Sequence, residues 1–151
     1  MSKNPTYLVV TPFFPSEKSF VGNYIFDQIN EIRNQTEYNI EIIKVASIFS
    51  NEKDYIYKSF NVSIFKMIDF PFFIFPGAFH CFNKLRFHTF LERKSIRNVK
   101  VAHAHVTYPS SYLISDLSCQ RIAQHHGLDV LQLLNGRNAI IRNIQRKYLI
   151  K

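Results

Sequence analysis

Residues 99–130 read VKVAHAHVTYPSSYLISDLSCQRIAQHHGLDV. Two short β-prone runs, 99–104 and 121–124, each lead into histidine: His103 and His105 in the first case, His125 and His126 in the second. A stretch of small residues compatible with a helix, 110–118, joins them. A strand, a crossover and a second strand make a βαβ unit, and such a unit forces parallel pairing. In open parallel sheets, ligands sit beyond the carboxyl ends of the strands. His105, Thr107, Tyr108, Pro109 and Ser110 are therefore expected at one ligand edge. His126, Gly127, Leu128 and Asp129 are expected at the same edge, one strand over.

The rest of the chain reads as a scaffold for that edge. YLVVT, 7–11, is a short β-branched run closed by Pro12, which predicts a buried first strand. A loop with prolines follows over 12–21, then Gly22. Ile25, Phe26, Ile29 and Ile32 recur at helical spacing over 23–34, with Asn23 expected as N-cap and Glu31 and Arg33 facing solvent. NIEIIKVA, 39–46, is a second strand and 60–65 a weaker third, separated by the polar stretch 50–59. Residues 79–93 predict a helix, and 138–149 a last amphipathic one with Ile140, Ile141, Ile144 and Leu149 apolar and Arg142, Arg146 and Lys147 basic. No internal repeat or low-complexity tract interrupts this order. Strands that alternate with helices predict an α/β fold with a parallel sheet and helices on both faces. The strands near 7–11, 40–46, 99–104 and 121–125 are expected to be parallel neighbours.

A length of 151 residues suits one domain, and 46% apolar with 20% charged residues is ordinary for a globular chain. The formal charge of +8 favours anionic partners. Cys81 and Cys119 lie far apart without metal spacing, so no disulfide framework is expected and a reducing compartment is the default. No signal peptide is read at the start, and no apolar run approaches the ~18 residues a membrane span needs.

Three features carry candidate chemistry. Gly22 sits between the first strand and the first helix, where backbone can approach a ligand and the helix N-terminus attracts anions. The plain alternative is that Gly22 only permits a turn. Neither a dinucleotide glycine fingerprint nor a Walker motif is present. His103 and His105, two apart on a strand, share one face, whereas His125 and His126 point to opposite faces. One histidine of each pair can meet, with Asp129 beside them, in a set that would suit zinc; the spacing matches no metal motif. His103 reads as a packed core histidine. His105, at the strand end, is the candidate catalytic residue, with its ring expected to project into a cleft and to titrate near neutral pH. Finally, FKMIDFPFFIFPGAFHCFNKLRFHTF, 65–90, interleaves aromatic and basic residues. Core packing explains part of it. The alternative is a membrane-surface segment in which Phe70, Phe72, Phe73 and Phe75 insert and Lys84 and Arg86 meet acidic headgroups. Base stacking by the same mixture lacks any nucleic-acid motif, so nucleic acid is not expected as a partner.

Three stretches together resemble the N-terminal domain of retaining glycosyltransferases of the GT-B fold, of the family 4 type. They are YLVVTPFFPSEKSFVGNYIFDQINEI, VAHAHVTYPSSYLIS and QHHGLDV. The last is similar to the family's His-Gly-x-Asp element and is the most specific. The resemblance implies a Rossmann-like domain, spanning 1–151, that supplies the acceptor side of an interdomain cleft. It implies that Gly22 lies near the donor diphosphate and His105 near the transferred sugar. His126, Gly127 and Asp129 would line the cleft, with Tyr108 beside them. No metal or other cofactor is implied; the donor would be a nucleoside-diphosphate sugar, and the acceptor a glycan or a lipid-linked acceptor. The family's second domain, which binds most of the donor through an acidic E-x7-E element, has no counterpart before Lys151. The domain's closing strand is also expected to be missing. The chain is thus expected to be a first half, inactive by itself, of a cytoplasmic enzyme peripheral to the inner membrane face. A non-catalytic module for an anionic ligand or membrane surface, and a histidine-metal hydrolase, are the alternative readings.

Overall fold

The computed structural model describes residues 4–69 and 79–126. Six strands form one sheet: β1 (Thr6–Thr11), β2 (Asn39–Ser47), β3 (Tyr55–Tyr57), β4 (Phe60–Met67), β5 (Val99–His105) and β6 (Gln120–Gln124). Their order is β3-β4-β2-β1-β5-β6. Every pairing is parallel except β3 with β4. This is an α/β, Rossmann-like open sheet, and the four strands expected to be parallel neighbours are so. The chain moves outward from β1 in one direction through β2 and β4, and in the other through β5 and β6. The strand order therefore reverses between β1 and β5, which is where such sheets open a crevice at the carboxyl ends.

Central β1 is buried along all six residues, as a strand covered on both faces must be. Side chains alternate across it. Tyr7 and Val9 join Ile42, Val62 and Val101 beneath helix α1 (Asn23–Gln35), whose Ile25, Phe26 and Ile29 are buried there. Leu8 and Val10 join Ile43, Val45, Phe65 and Ala102 beneath α2 (His80–Arg93), which contributes Phe87 and Leu91. Each fully buried side chain of this size contributes about 1.5–3 kcal/mol, so the two apolar layers fix which face each helix covers. Aromatic edges tighten both: Phe26 meets Tyr57 at 5.3 Å and Phe65 meets Phe87 at 5.1 Å between ring centres. Asn83 of α2 ties the helix to the chain after β4, donating to the Ile68 carbonyl at 2.7 Å and accepting from the Ile68 amide at 2.9 Å.

Several local expectations are corrected. The stretch 50–59 contains β3, which forms a hairpin with β4 through Lys58 and Ser59, both at positive φ (42° and 69°). A two-residue turn of that hand usually announces itself by Asn-Gly, so Lys-Ser hid it. Gly22, not Asn23, caps α1; Asn23 is the first helical residue and donates to Asp27 at 3.2 Å. Arg33 is half-buried, its guanidinium 4.0 Å over the Phe60 ring, rather than facing solvent. The crossover expected as a helix over 110–118 is a wide helical turn, Thr107–Ser111, continuing only to Leu113. The helix expected at 138–149 lies outside the described residues.

Candidate functional site

The carboxyl end of β5 meets the first turn of α1 and the end of β6. In the sheet register His103 lies opposite Ile122 and His105 opposite Gln124. Both histidines point to the α1 face, as their spacing requires, with ring centres 4.2 Å apart. His103 Nδ1 lies 2.8 Å from the Tyr7 hydroxyl and its Nε2 3.0 Å from Gln124 Oε1. The amide oxygen can only accept, so Nε2 carries the proton and Nδ1 accepts from Tyr7. Burial and the neighbouring Tyr38 push the Tyr7 phenol up to about 12, so it remains a donor. His103 is 2% exposed, the packed core histidine expected.

His105 is placed differently from the expectation. It is fully buried, and its ring stacks parallel to His126 at 5.5 Å, with Nδ1 3.3 Å from His126 Nε2. Burial first, then the neighbouring His103 and His126, hold it down to about 3 instead of near neutral. It is neutral at physiological pH and does not project into open space. Its Nε2 is buried and, among the described residues, has no hydrogen-bond partner. His126 is half-buried and its ring also meets Tyr24 of the first turn of α1, edge-on at 4.9 Å. One histidine from each pair therefore does meet. His125 turns to the Thr107 hydroxyl, 2.7 Å from its Nδ1.

The chain leaves β5 under strain. Val106 has φ 76°, a region that β-branched residues rarely occupy, and its amide donates to the Gln124 carbonyl at 2.9 Å. The Tyr108–Pro109 bond is cis. Tyr108 does not face a cleft freely: its hydroxyl donates to Asp69 beyond β4 at 2.9 Å. Burial raises the Asp69 carboxyl above the usual carboxylate range, and that hydrogen bond opposes the rise. Ser110 is fully buried with its hydroxyl unpartnered among the described residues.

At Gly22 the close approach is made by the chain's own backbone. Its φ is 87°, and a Cβ there would lie 2.7 Å from the Phe13 carbonyl oxygen. The turn alone accounts for glycine. Around it Phe13, Phe20, Val21 and Tyr24 are exposed. Gly127 and Asp129 lie outside the described residues, as do Phe70, Phe72, Phe73 and Phe75. Lys84 uses its charge within the fold, 3.7 Å from Asp116 and 4.7 Å over the Tyr112 ring. Arg86 lines a separate groove beside β4. Among the described residues no three His, Cys, Asp or Glu side chains gather as a metal site would need, and no helix is long and apolar enough to cross a membrane.

Tyr7, Tyr24 and Gln124 complete the histidine network and were not singled out from sequence. Gln124 had a signal, because a parallel register pairs it with His105. Tyr24 had only its place two residues after Gly22. What the fold defines is a Rossmann-like domain with an imidazole cluster at its switch point. Comparison with known proteins adds nothing more particular: no family model fits the chain, and no curated protein or solved structure matches it.

Proposed function

We propose that the chain is the acceptor-side domain of a retaining glycosyltransferase of the GT-B type, which transfers a sugar from a nucleoside-diphosphate sugar to a glycan or lipid-linked acceptor. The observation that carries this reading is the contact of His105 with His126 against Tyr24. It brings together parts of all three stretches on which the resemblance rests, at the switch point where α/β sheets take their ligands.

Within that reading the roles divide by burial. His126, half-buried at the strand end, hydrogen-bonds the sugar or the leaving group. His105, buried and neutral, is a positioning residue: its Nδ1 fixes the ring of His126. The start of α1 offers partial positive charge to a diphosphate, worth about 0.3–2 kcal/mol. Most stabilisation of the departing diphosphate must then come from a second domain, and the chain by itself binds donor weakly. Peripheral docking on an acidic membrane surface through the 70–79 segment would bring the chain to a lipid-linked acceptor.

The test is a titration of isotope-labelled protein with UDP-, GDP- and ADP-sugars, with the imidazole and amide resonances of His126, His125 and Tyr24 as readout. At least one donor should shift them at millimolar concentration, and His126→Ala should abolish the shift in a folded protein. Silence of all three residues toward every donor and toward oligosaccharide acceptors refutes the proposal. Robust sugar transfer by the chain alone refutes the dependence on a second domain.

A further inference from the structure

A groove of about 730 Å³ lies between α2 and β4 and is used by nothing described so far. Two strands, β2 and β1, separate β4 from β5 in the sheet, so the groove is distinct from the imidazole cluster. Four cations line it: Lys53 from the segment after β2, Lys66 from β4, and Arg86 and Arg93 from α2. The two arginines are seven apart, with Thr89 between them, and share one helix face.

The groove also holds two acids, and each is already engaged. Glu52 pairs with Lys44 at 2.6 Å. Asp54 pairs with Lys94 and accepts from the Ile64 amide at 2.8 Å. Among the described residues no carboxylate forms an ion pair with Lys53, Lys66, Arg86 or Arg93. Arg86 is the most telling. Its guanidinium carbon stands 5.9 Å from the centre of the Phe65 ring and 5.8 Å from that of Phe82. Its Nη1 is buried and has no hydrogen-bond partner among the described residues. Buried donors are nearly always satisfied, and a charged one left unmet is costly. The aromatic rings hold the fork in place without consuming its donors.

We infer that this groove binds a phosphoryl-bearing anion. The planar fork of Arg86 matches two phosphoryl oxygens, while Lys53, Lys66 and Arg93 supply further positive charge around it. Leu85, 67% exposed, lines the same groove, so an apolar carrier of the phosphoryl group is accommodated at its rim. The phosphoryl group is therefore that of a phospholipid headgroup or of a soluble phosphate. The inference holds whether or not the chain is a transferase domain.

Two probes separate the sources. Inorganic phosphate is titrated into labelled protein while the Arg86 side-chain and Lys66 amide signals are followed. Sedimentation with phosphatidylcholine vesicles, with and without phosphatidic acid, is measured at low and high salt. Local shifts with phosphate identify a soluble ligand. Pelleting that requires phosphatidic acid and falls with salt, without a phosphate response, identifies a headgroup. In either case Arg86→Gln should weaken binding about tenfold, the factor of one charge-assisted hydrogen bond. Arg93→Gln, on an exposed side chain, and Lys66→Gln carry the same test if Arg86→Gln fails to fold. The inference is overturned if neither probe binds, or if binding survives in all the folded variants.

Discussion

Gly22→Ala separates the two readings of the first loop by adding one methyl group. The residue's φ of 87° lies in the left-handed region, which costs an L-residue about 1–2 kcal/mol. The methyl carbon would also stand 2.7 Å from the Phe13 carbonyl oxygen, 2.8 Å from its carbonyl carbon and 3.1 Å from Phe14 Cα. Ordinary contact begins at 3.4 Å, so the Phe13 backbone must retreat by roughly 0.7 Å. It cannot do so freely. Phe14 is 2% exposed and packs edge-on against Tyr57 at 6.3 Å. Overpacking of this kind costs about 1–3 kcal/mol more. The sum, about 2–5 kcal/mol, is a large part of the stability of an ordinary domain. Urea unfolding should show a lower midpoint with an unchanged slope, and the melting temperature should fall by about 5–15 °C. Val21→Ala, next in the chain and exposed, should leave both unchanged. A loss below about 1 kcal/mol for Gly22→Ala would refute the argument that the turn itself demands glycine. If that stable variant also lost its response to sugar nucleotides, the glycine would be there for the ligand.

Three further outcomes are expected. Asn83→Ala should cost about 2–4 kcal/mol in chemical unfolding, because it leaves both the amide and the carbonyl of Ile68 without their partner; a loss below 1 kcal/mol would show that water replaces it. His103→Ala should cost a similar amount and lower the phenol pKa of Tyr7, read by ultraviolet titration, since the buried hydroxyl loses its acceptor; an unchanged titration would contradict the assigned hydrogen bond. Stability should be level above about pH 6.5 and fall on acidification, because His105 (about 3) and His80 (about 4) bind protons less readily folded than unfolded. His105→Leu should flatten that fall by up to about 1.4 kcal/mol per pH unit; parallel curves for variant and wild type would show that His105 is not the group responsible.

The central strands and the two helices were legible because their information is local. β1 has no polar residue between its threonines, and α1 carries its buried face at Ile25, Phe26 and Ile29. What was not legible depends on neighbours far along the chain. The hairpin turn at Lys58 and Ser59 takes a conformation that its residue types do not advertise. The pairing of His105 with His126 was open to sequence reasoning, since alternation fixes which faces two strand-end histidines present. Their relative depth was not. His105 is buried because His126, His103 and the α1 side of the sheet close over it, and that burial reverses the expected titration. Arg86 was legible as a candidate for acidic headgroups, but the groove was not: Lys53, Lys66 and Arg86 come from three separate segments, and only folding gathers them.

The distribution of unfavourable features distinguishes the two ends of the sheet. At the amino end the polar groups are closed off: Thr6 donates from both its hydroxyl and its amide, to the carbonyls of Arg97 and Asn98, and the Asn39 amide reaches the Pro5 carbonyl. The carboxyl end of β5 has the left-handed Val106 and, among the described residues, the unmet Nε2 of His105 and the unmet hydroxyl of Ser110 within six residues. Each of these costs about 1–3 kcal/mol, against a total stability on the order of 5–15 kcal/mol for a domain. Val106 is itself buried, which offsets part of its strain, whereas a glycine would adopt the same backbone without strain. Selection for stability alone would remove such features first, because single substitutions suffice. Positive φ also occurs at the amino end, at Ser95 (56°) and Asn98 (53°), but the unmet buried groups of β5 and the turn after it, His105 Nε2 and Ser110 Oγ, lie beside the switch point. On the proposed function, the strain at Val106 and the unmet groups beside it are those that a bound sugar or diphosphate would complete.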